Sequence, residues 1–80
     1  MKDYYRILGE NIAYYRKRMH LNQAGFALRA NISRGYLSQI EASKCGKAPS
    51  LALIIHMSEI LGVEPYELLK ERTPDLAVKK

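Results

Sequence analysis

The sequence predicts an all-α fold: one small domain built from five short helices. Three observations carry this expectation. Apolar residues recur every three or four positions rather than alternating, so the periodicity is helical throughout. Capping residues stand ahead of three apolar runs (Asn22, Ser33, Ser50), and Asn31 and Gly62 stand behind two of them. No internal repeat, low-complexity stretch or β-alternation interrupts the pattern. At 80 residues the chain reads as a single domain, able to bury about 60% of its unfolded surface, which allows one core but not a deep substrate cavity as well. The domain is assigned to residues 1–72. Residues 73–80, which open on Thr73-Pro74, read as a tail.

Tyr5, Leu8, Ile12, Tyr15 and Met19 fall 3, 4, 3 and 4 apart, lining one face of a helix over residues 4–19. Arg16, Lys17 and Arg18 crowd its last turn, where cations suit the negative end of the helix dipole. The helix stops near His20-Leu21. Asn22 then caps a second helix, Gln23 to Ala30, with Phe26, Ala27 and Ala30 as its apolar positions. Asn31 is placed to leave that helix through the left-handed conformation. Ser33 caps a third helix, Arg34 to Glu41, with Leu37 and Ile40 inward. Ala42 to Pro49 reads as a loop. Ser50 caps a fourth helix, Leu51 to Leu61, in which Leu51, Ile54, Ile55, Ser58 and Leu61 line one side and Leu53, Met57 and Ile60 another. Gly62 ends it, and Pro65 at a first-turn position opens a last helix, Pro65 to Lys70.

Composition narrows the function classes. Hydrophobic residues make up 48% and charged residues 26%, too apolar for disorder. No apolar stretch is long enough to cross a membrane, and Met1-Lys2-Asp3 leads into tyrosines, so neither a membrane partner nor a targeting segment is expected. Cys45 is the sole cysteine, which rules out an internal disulfide or a thiolate zinc set and suits a reducing cytoplasm. His20 and His56 lie far apart with no ligand-spaced carboxylate, so no metal is expected. No Ser-His-Asp set, paired acid or glycine-rich phosphate loop is present. The sequence therefore predicts no enzyme, no cofactor and no small-molecule ligand. The tyrosines, four of six in the first helix, read as packing and surface residues rather than a stacking platform. Net charge is +5, and it is unevenly placed: residues 1–47 hold nine cations against three carboxylates, residues 48–80 four against five. An anionic partner is expected on the first half.

Between Gln23 and Ile40 the pattern becomes specific. Ala27 is small where two helices must pass closely, Asn31 supplies the turn, and Leu37 and Ile40 return apolar contacts. Those are the requirements of a helix-turn-helix, and they leave Arg34, Gly35, Tyr36, Ser38 and Gln39 free to enter a major groove. The stretch resembles the Cro and phage-repressor type of helix-turn-helix domain, the XRE family. The resemblance rests on Leu21-Asn22-Gln23, Phe26-Ala27, Ile32-Ser33-Arg34, Tyr36-Leu37-Ser38-Gln39-Ile40-Glu41, Pro49-Ser50-Leu51 and Leu61-Gly62-Val63, across residues 6–70. It implies a compact five-helix, lambda-repressor-like domain that binds operator DNA as a two-fold dimer. Three departures stand out: Gly25 replaces a helix former, Asn31 replaces the usual Gly, and the loop from Ala42 to Ala48 is longer than the common family form.

Arg34 and Gln39 are the expected base readers, because Arg pairs bidentately with guanine and Gln with adenine; Ser38 can bond either, and Gly35 permits close approach. The resemblance gives Gln23 a phosphate contact, which Asn22 and the amides beside it would share. Tyr36, Lys44 and Lys47 are expected on sugar and phosphate. Arg16 and Glu41 resemble a family ion pair joining the first helix to the end of the third. Met57, Ile60, Val63, Pro65, Tyr66 and Leu69 exceed the needs of one small core and fit a homodimer interface. The expectation is a cytoplasmic, nucleoid-associated, sequence-specific regulator of double-stranded DNA in a bacterium or phage: a dimeric repressor on an inverted repeat, a restriction-modification controller or an antitoxin, with an antagonist or toxin protein as a compatible partner. The rival is a protein-interaction adaptor that keeps the fold and bridges partners through its last two helices.

Overall fold

Local chemistry at the helix ends accounts for most of the architecture. In the computed structural model, which describes residues 3–44 and 48–72, the chain runs through α1 (Tyr4–Arg18), α2 (Gln23–Ala30), α3 (Arg34–Glu41) and α4 (Leu51–Leu61), then a 3-10 turn (Pro65–Leu69). Each α-helix starts on a side-chain cap. Asp3 accepts from the Arg6 amide at 3.2 Å, Asn22 from Gly25 at 2.7 Å, Ser33 from Tyr36 at 2.9 Å and Ser50 from Leu53 at 3.0 Å. Each bond satisfies an amide the helix cannot pair itself, worth about 1 kcal/mol per cap.

All four helices end the same way. A residue with positive φ stops the helix, its amide bonding back three residues and the next amide bonding back five. These residues are His20, Asn31 and Ser43 at φ 60° and Gly62 at φ 76°. The long bonds are Leu21 to the Arg16 carbonyl (3.3 Å), Ile32 to Ala27 (3.0 Å), Lys44 to Gln39 (2.8 Å) and Val63 to Ser58 (3.0 Å). Asn31 and Gly62 have the expected conformation; His20 and Ser43 adopt it without the sequence signal.

Helix α1 is the spine. It packs against α3, α4 and the 3-10 turn, while α2 packs against α3 and α4. The core consists of Leu8 and Ile12 from α1, Phe26, Ala27 and Ala30 from α2, Leu37 and Ile40 from α3, Met57 and Leu61 from α4, and Leu68. Among the described residues no buried side-chain polar atom lacks a hydrogen-bond partner.

Four expectations are corrected. The fifth element is a 3-10 turn, not an α-helix. Proline opens it, five residues recover little of the cost of nucleating an α-helix, and the Asn11 side-chain amide takes the carbonyls of Glu67, Leu68 and Lys70 at 3.2, 3.0 and 2.9 Å. Tyr5 is 59% exposed rather than inward; it lies a turn before the α1–α3 crossing, and only its carbonyl engages α3's exit, accepting from Ser43 Oγ at 3.2 Å. Met57 is fully buried in the core and leaves the proposed dimer face. On α4 the inward residues include Ile54, Met57, Ser58 and Leu61, whereas Leu51 and Ile55 are exposed.

Candidate nucleic-acid interface

The polar face of α3 is built by what the helix buries. Leu37 and Ile40, three apart, are fully enclosed, which turns Arg34, Gly35 and Gln39 outward and leaves Ser38 and Tyr36 half-buried. Neither Arg34 nor Gln39 forms a side-chain hydrogen bond or ion pair with a described residue, so both polar ends are available to a ligand. Gly35 has open space where a Cβ would stand. Tyr36 packs its ring against the core. Asn22 and Lys44 are exposed; Lys47 and Cys45 lie outside the described residues, as does the tail expected at 73–80.

A buried polar network holds this face to α1. Arg16 Nε donates to Glu41 Oε2 at 2.7 Å and Nη2 to Oε1 at 2.9 Å, a bidentate pair. Its third nitrogen, Nη1, donates to the Leu21 carbonyl at 2.8 Å. Gln23 Nε2 donates to Glu41 Oε1 at 3.0 Å, so one amide hydrogen of Gln23 serves Glu41 and the second is left over from that bond. Both partners of the ion pair are 8% exposed at the side chain. One carboxylate thus ties together the end of α1, the start of α2 and the end of α3.

Gly25 permits the adjoining cap. A Cβ there would lie 3.2 Å from Asn22 Oδ1 and 3.5 Å from Leu21 Cδ2, tight against the oxygen that receives the Gly25 amide.

Sequence reasoning missed Asn11. Besides its three carbonyl contacts, its Oδ1 accepts from Arg72 Nε at 2.9 Å, and the Arg72 guanidinium stacks 3.7 Å from the Tyr14 ring centroid. This latch returns the end of the fold onto α1. The signal was present: a polar residue between Leu8 and Ile12 on an otherwise apolar stripe. Burial, together with the Glu67 carboxylate that accepts from its hydroxyl at 3.3 Å, raises the Tyr15 phenol above its ordinary pKa. Among the described residues no cluster of three or more His, Cys, Asp or Glu could hold a metal. Nor is any described helix long and apolar enough to cross a membrane.

A capped helix pair joined through a left-handed turn, with an outward polar second helix, defines a helix-turn-helix domain. Residues 12–68 match the family described as helix-turn-helix, and the chain belongs to that family in its XRE-type form, a class of DNA-binding transcription regulators rather than enzymes. Solved structures agree. The hypothetical transcription factor NHTF from Neisseria is 27% identical, with 96% of this chain and 86% of that one covered and a TM-score of 0.81. SinR, the master regulator for biofilm formation, known from Bacillus subtilis, is similar in its complex with DNA: 30% identity, 79% and 98% coverage, TM-score 0.72. The restriction-modification controller C.AhdI from Aeromonas hydrophila follows at 25% identity, 80% and 94% coverage and TM-score 0.72. No curated protein sequence matches the chain significantly.

Proposed function

We propose that the protein is a cytoplasmic, sequence-specific repressor that binds an inverted-repeat operator as a homodimer. The observation that carries this reading is the outer face of α3, where Arg34, Ser38 and Gln39 present side chains suited to base edges on a helix anchored from behind by Leu37, Ile40 and the Arg16–Glu41 pair. Arg34 and Gln39 read bases bidentately, Ser38 adds a single bond, and Gly35 lets the backbone approach the groove. Asn22, Gln23, Tyr36, Lys44 and Lys47 grip the backbone on either side and set the register without selecting sequence.

Dimerisation uses the apolar side chains left uncovered on α4 and beyond it. Tyr66 and Leu69 are exposed, as are Leu51 and Ile55; Ile60, Val63 and Pro65 are half-buried at the edge of the core. A two-fold dimer that reads successive major grooves needs its recognition helices about 34 Å apart, one turn of the duplex. SinR has been solved in complex with SinI, and an antagonist protein acting on this chain would be the matching form of control.

Selection from a random-sequence DNA pool, followed by binding to the winner across a salt series, tests the reading. The expected result is one enriched inverted repeat, two protomers per site and steep salt dependence. Weak, sequence-blind binding by a chain that instead captures other proteins would replace it with the adaptor reading.

A further inference from the structure

Gly9 sits in the second turn of α1, buried, with no unusual φ to require a glycine. Its neighbour supplies the reason. A Cβ at this position would stand 2.4 Å from the Ile40 carbonyl oxygen and 2.9 Å from that of Glu41, both backbone atoms at the end of α3. The two helices therefore meet backbone to backbone, closer than side chains normally allow.

The contact is one of three on the same face of α1. One turn earlier, the Tyr5 carbonyl receives Ser43 Oγ; two turns later, Arg16 clasps Glu41. Between them Ile12, fully buried, keys α1 into the core. The last residues of α3 and the first after it are thus held along about three turns of a fifteen-residue helix. Held at its exit, α3 has its direction set for the length that faces the groove.

We propose that Gly9 is a positioning residue for sequence discrimination, because backbone contact between α1 and the last carbonyls of α3 sets the pitch at which Arg34, Ser38 and Gln39 meet base edges. This rests on the DNA-reading role given above. Restoring ordinary contact from 2.4 Å requires about 1 Å of displacement at the end of α3. An eight-residue helix is about 12 Å long, so the shift tilts it by about 5° or moves it bodily by about the same 1 Å. Bidentate hydrogen bonds tolerate only a few tenths of an ångström, whereas phosphate attraction at Lys44 and its neighbours tolerates far more. Discrimination and general affinity should therefore separate.

The test compares the full chain carrying Gly9→Ala with the wild type and with Leu61→Val, a core change on α4 that supplies a stability control. Each is measured against the selected operator and a scrambled duplex. Gly9→Ala is expected to lower the operator-to-scrambled ratio by about tenfold or more, within the range that losing one bidentate contact covers. Its scrambled-DNA affinity and salt slope stay near wild type, and Leu61→Val leaves the ratio unchanged. An unchanged ratio in folded Gly9→Ala, or equal loss on both duplexes, overturns the proposal. If Gly9→Ala does not fold, Ser43→Ala releases the Tyr5 contact without crowding anything and must lower the same ratio by a smaller factor; an unchanged ratio there overturns it too. A wild-type chain that binds neither duplex refutes the DNA-reading role itself, a failure distinct from a wild type that discriminates and a Gly9→Ala variant that discriminates equally well.

Discussion

Replacing Arg16 by Met is the most informative single perturbation of the polar network. The guanidinium makes four contacts' worth of structure from three nitrogens: two bonds to Glu41, one to the Leu21 carbonyl, and the charge that neutralises a carboxylate 8% exposed. Without it Glu41 keeps one neutral donor, Gln23 Nε2. Removing one partner of a pair buried to this degree costs about 3–5 kcal/mol. A domain of this length is stable by about 4–12 kcal/mol in total, from about 0.05–0.15 kcal/mol per residue. At about 4–8 °C per kcal/mol, Arg16→Met should lower Tm by more than 12 °C. Arg16→Met/Glu41→Leu should recover a large part of that loss, since no buried charge is then stranded. Thermal and urea unfolding of the wild type, both single variants and the double variant give the coupling energy. If the network acts chiefly by orientation, the double variant should fold well yet discriminate DNA poorly. An Arg16→Met loss below about 1 kcal/mol, or a double variant with wild-type discrimination, refutes the reasoning.

Three further predictions concern the scaffold. Asn11→Leu removes the donor shared by three carbonyls, that of Leu68 buried, and the acceptor for Arg72, and should cost about 3 kcal/mol in urea unfolding; a change under 1 kcal/mol contradicts the latch. His20→Gly relieves a left-handed non-glycine residue and should raise stability by about 0.5–1 kcal/mol, seen as a higher Tm; a lower Tm counts against it. The raised Tyr15 pKa means that folding favours the protonated phenol, so its contribution is whole below the ordinary value of 10.0 and fades as pH climbs through the folded-state value. Stability should therefore fall faster above pH 10 in the wild type than in Tyr15→Phe, and identical alkaline limbs contradict this.

What was legible in the sequence was what local chemistry decides. Asn22, Ser33 and Ser50 cap their helices through their own side chains, and Asn31 and Gly62 leave theirs through a left-handed turn, so these boundaries needed no tertiary information. The outward placing of Arg34, Gly35 and Gln39 on α3 was equally accessible, because burying Leu37 and Ile40 leaves only one orientation; Tyr36 and Ser38, expected beside them, are half-buried, Tyr36 against the core. The Arg16–Glu41 pair was visible through family resemblance, not spacing, since 25 residues separate the partners. Gly9 and the 3-10 form of the last element were not legible, and Asn11 showed only as a polar break in an apolar stripe, with its partners hidden. Each depends on two segments far apart in sequence arriving at one place: Asn11 on the carbonyls of 67–70, Gly9 on those of 40 and 41. Met57 and Tyr5 exchanged expected environments for the same reason. An apolar stripe gives the face of a helix but not how far along it the neighbour extends.

The central claim, that α3 reads bases through its outer side chains, is tested most directly by Arg34→Ala against a selected operator in which every base pair is substituted in turn. The predicted result is a flattened preference at one position in each half-site, about 1–3 kcal/mol of lost discrimination, with the other positions and most of the salt dependence retained. A uniform loss across all positions would mean that Arg34 serves only the phosphate backbone, and would contradict the account.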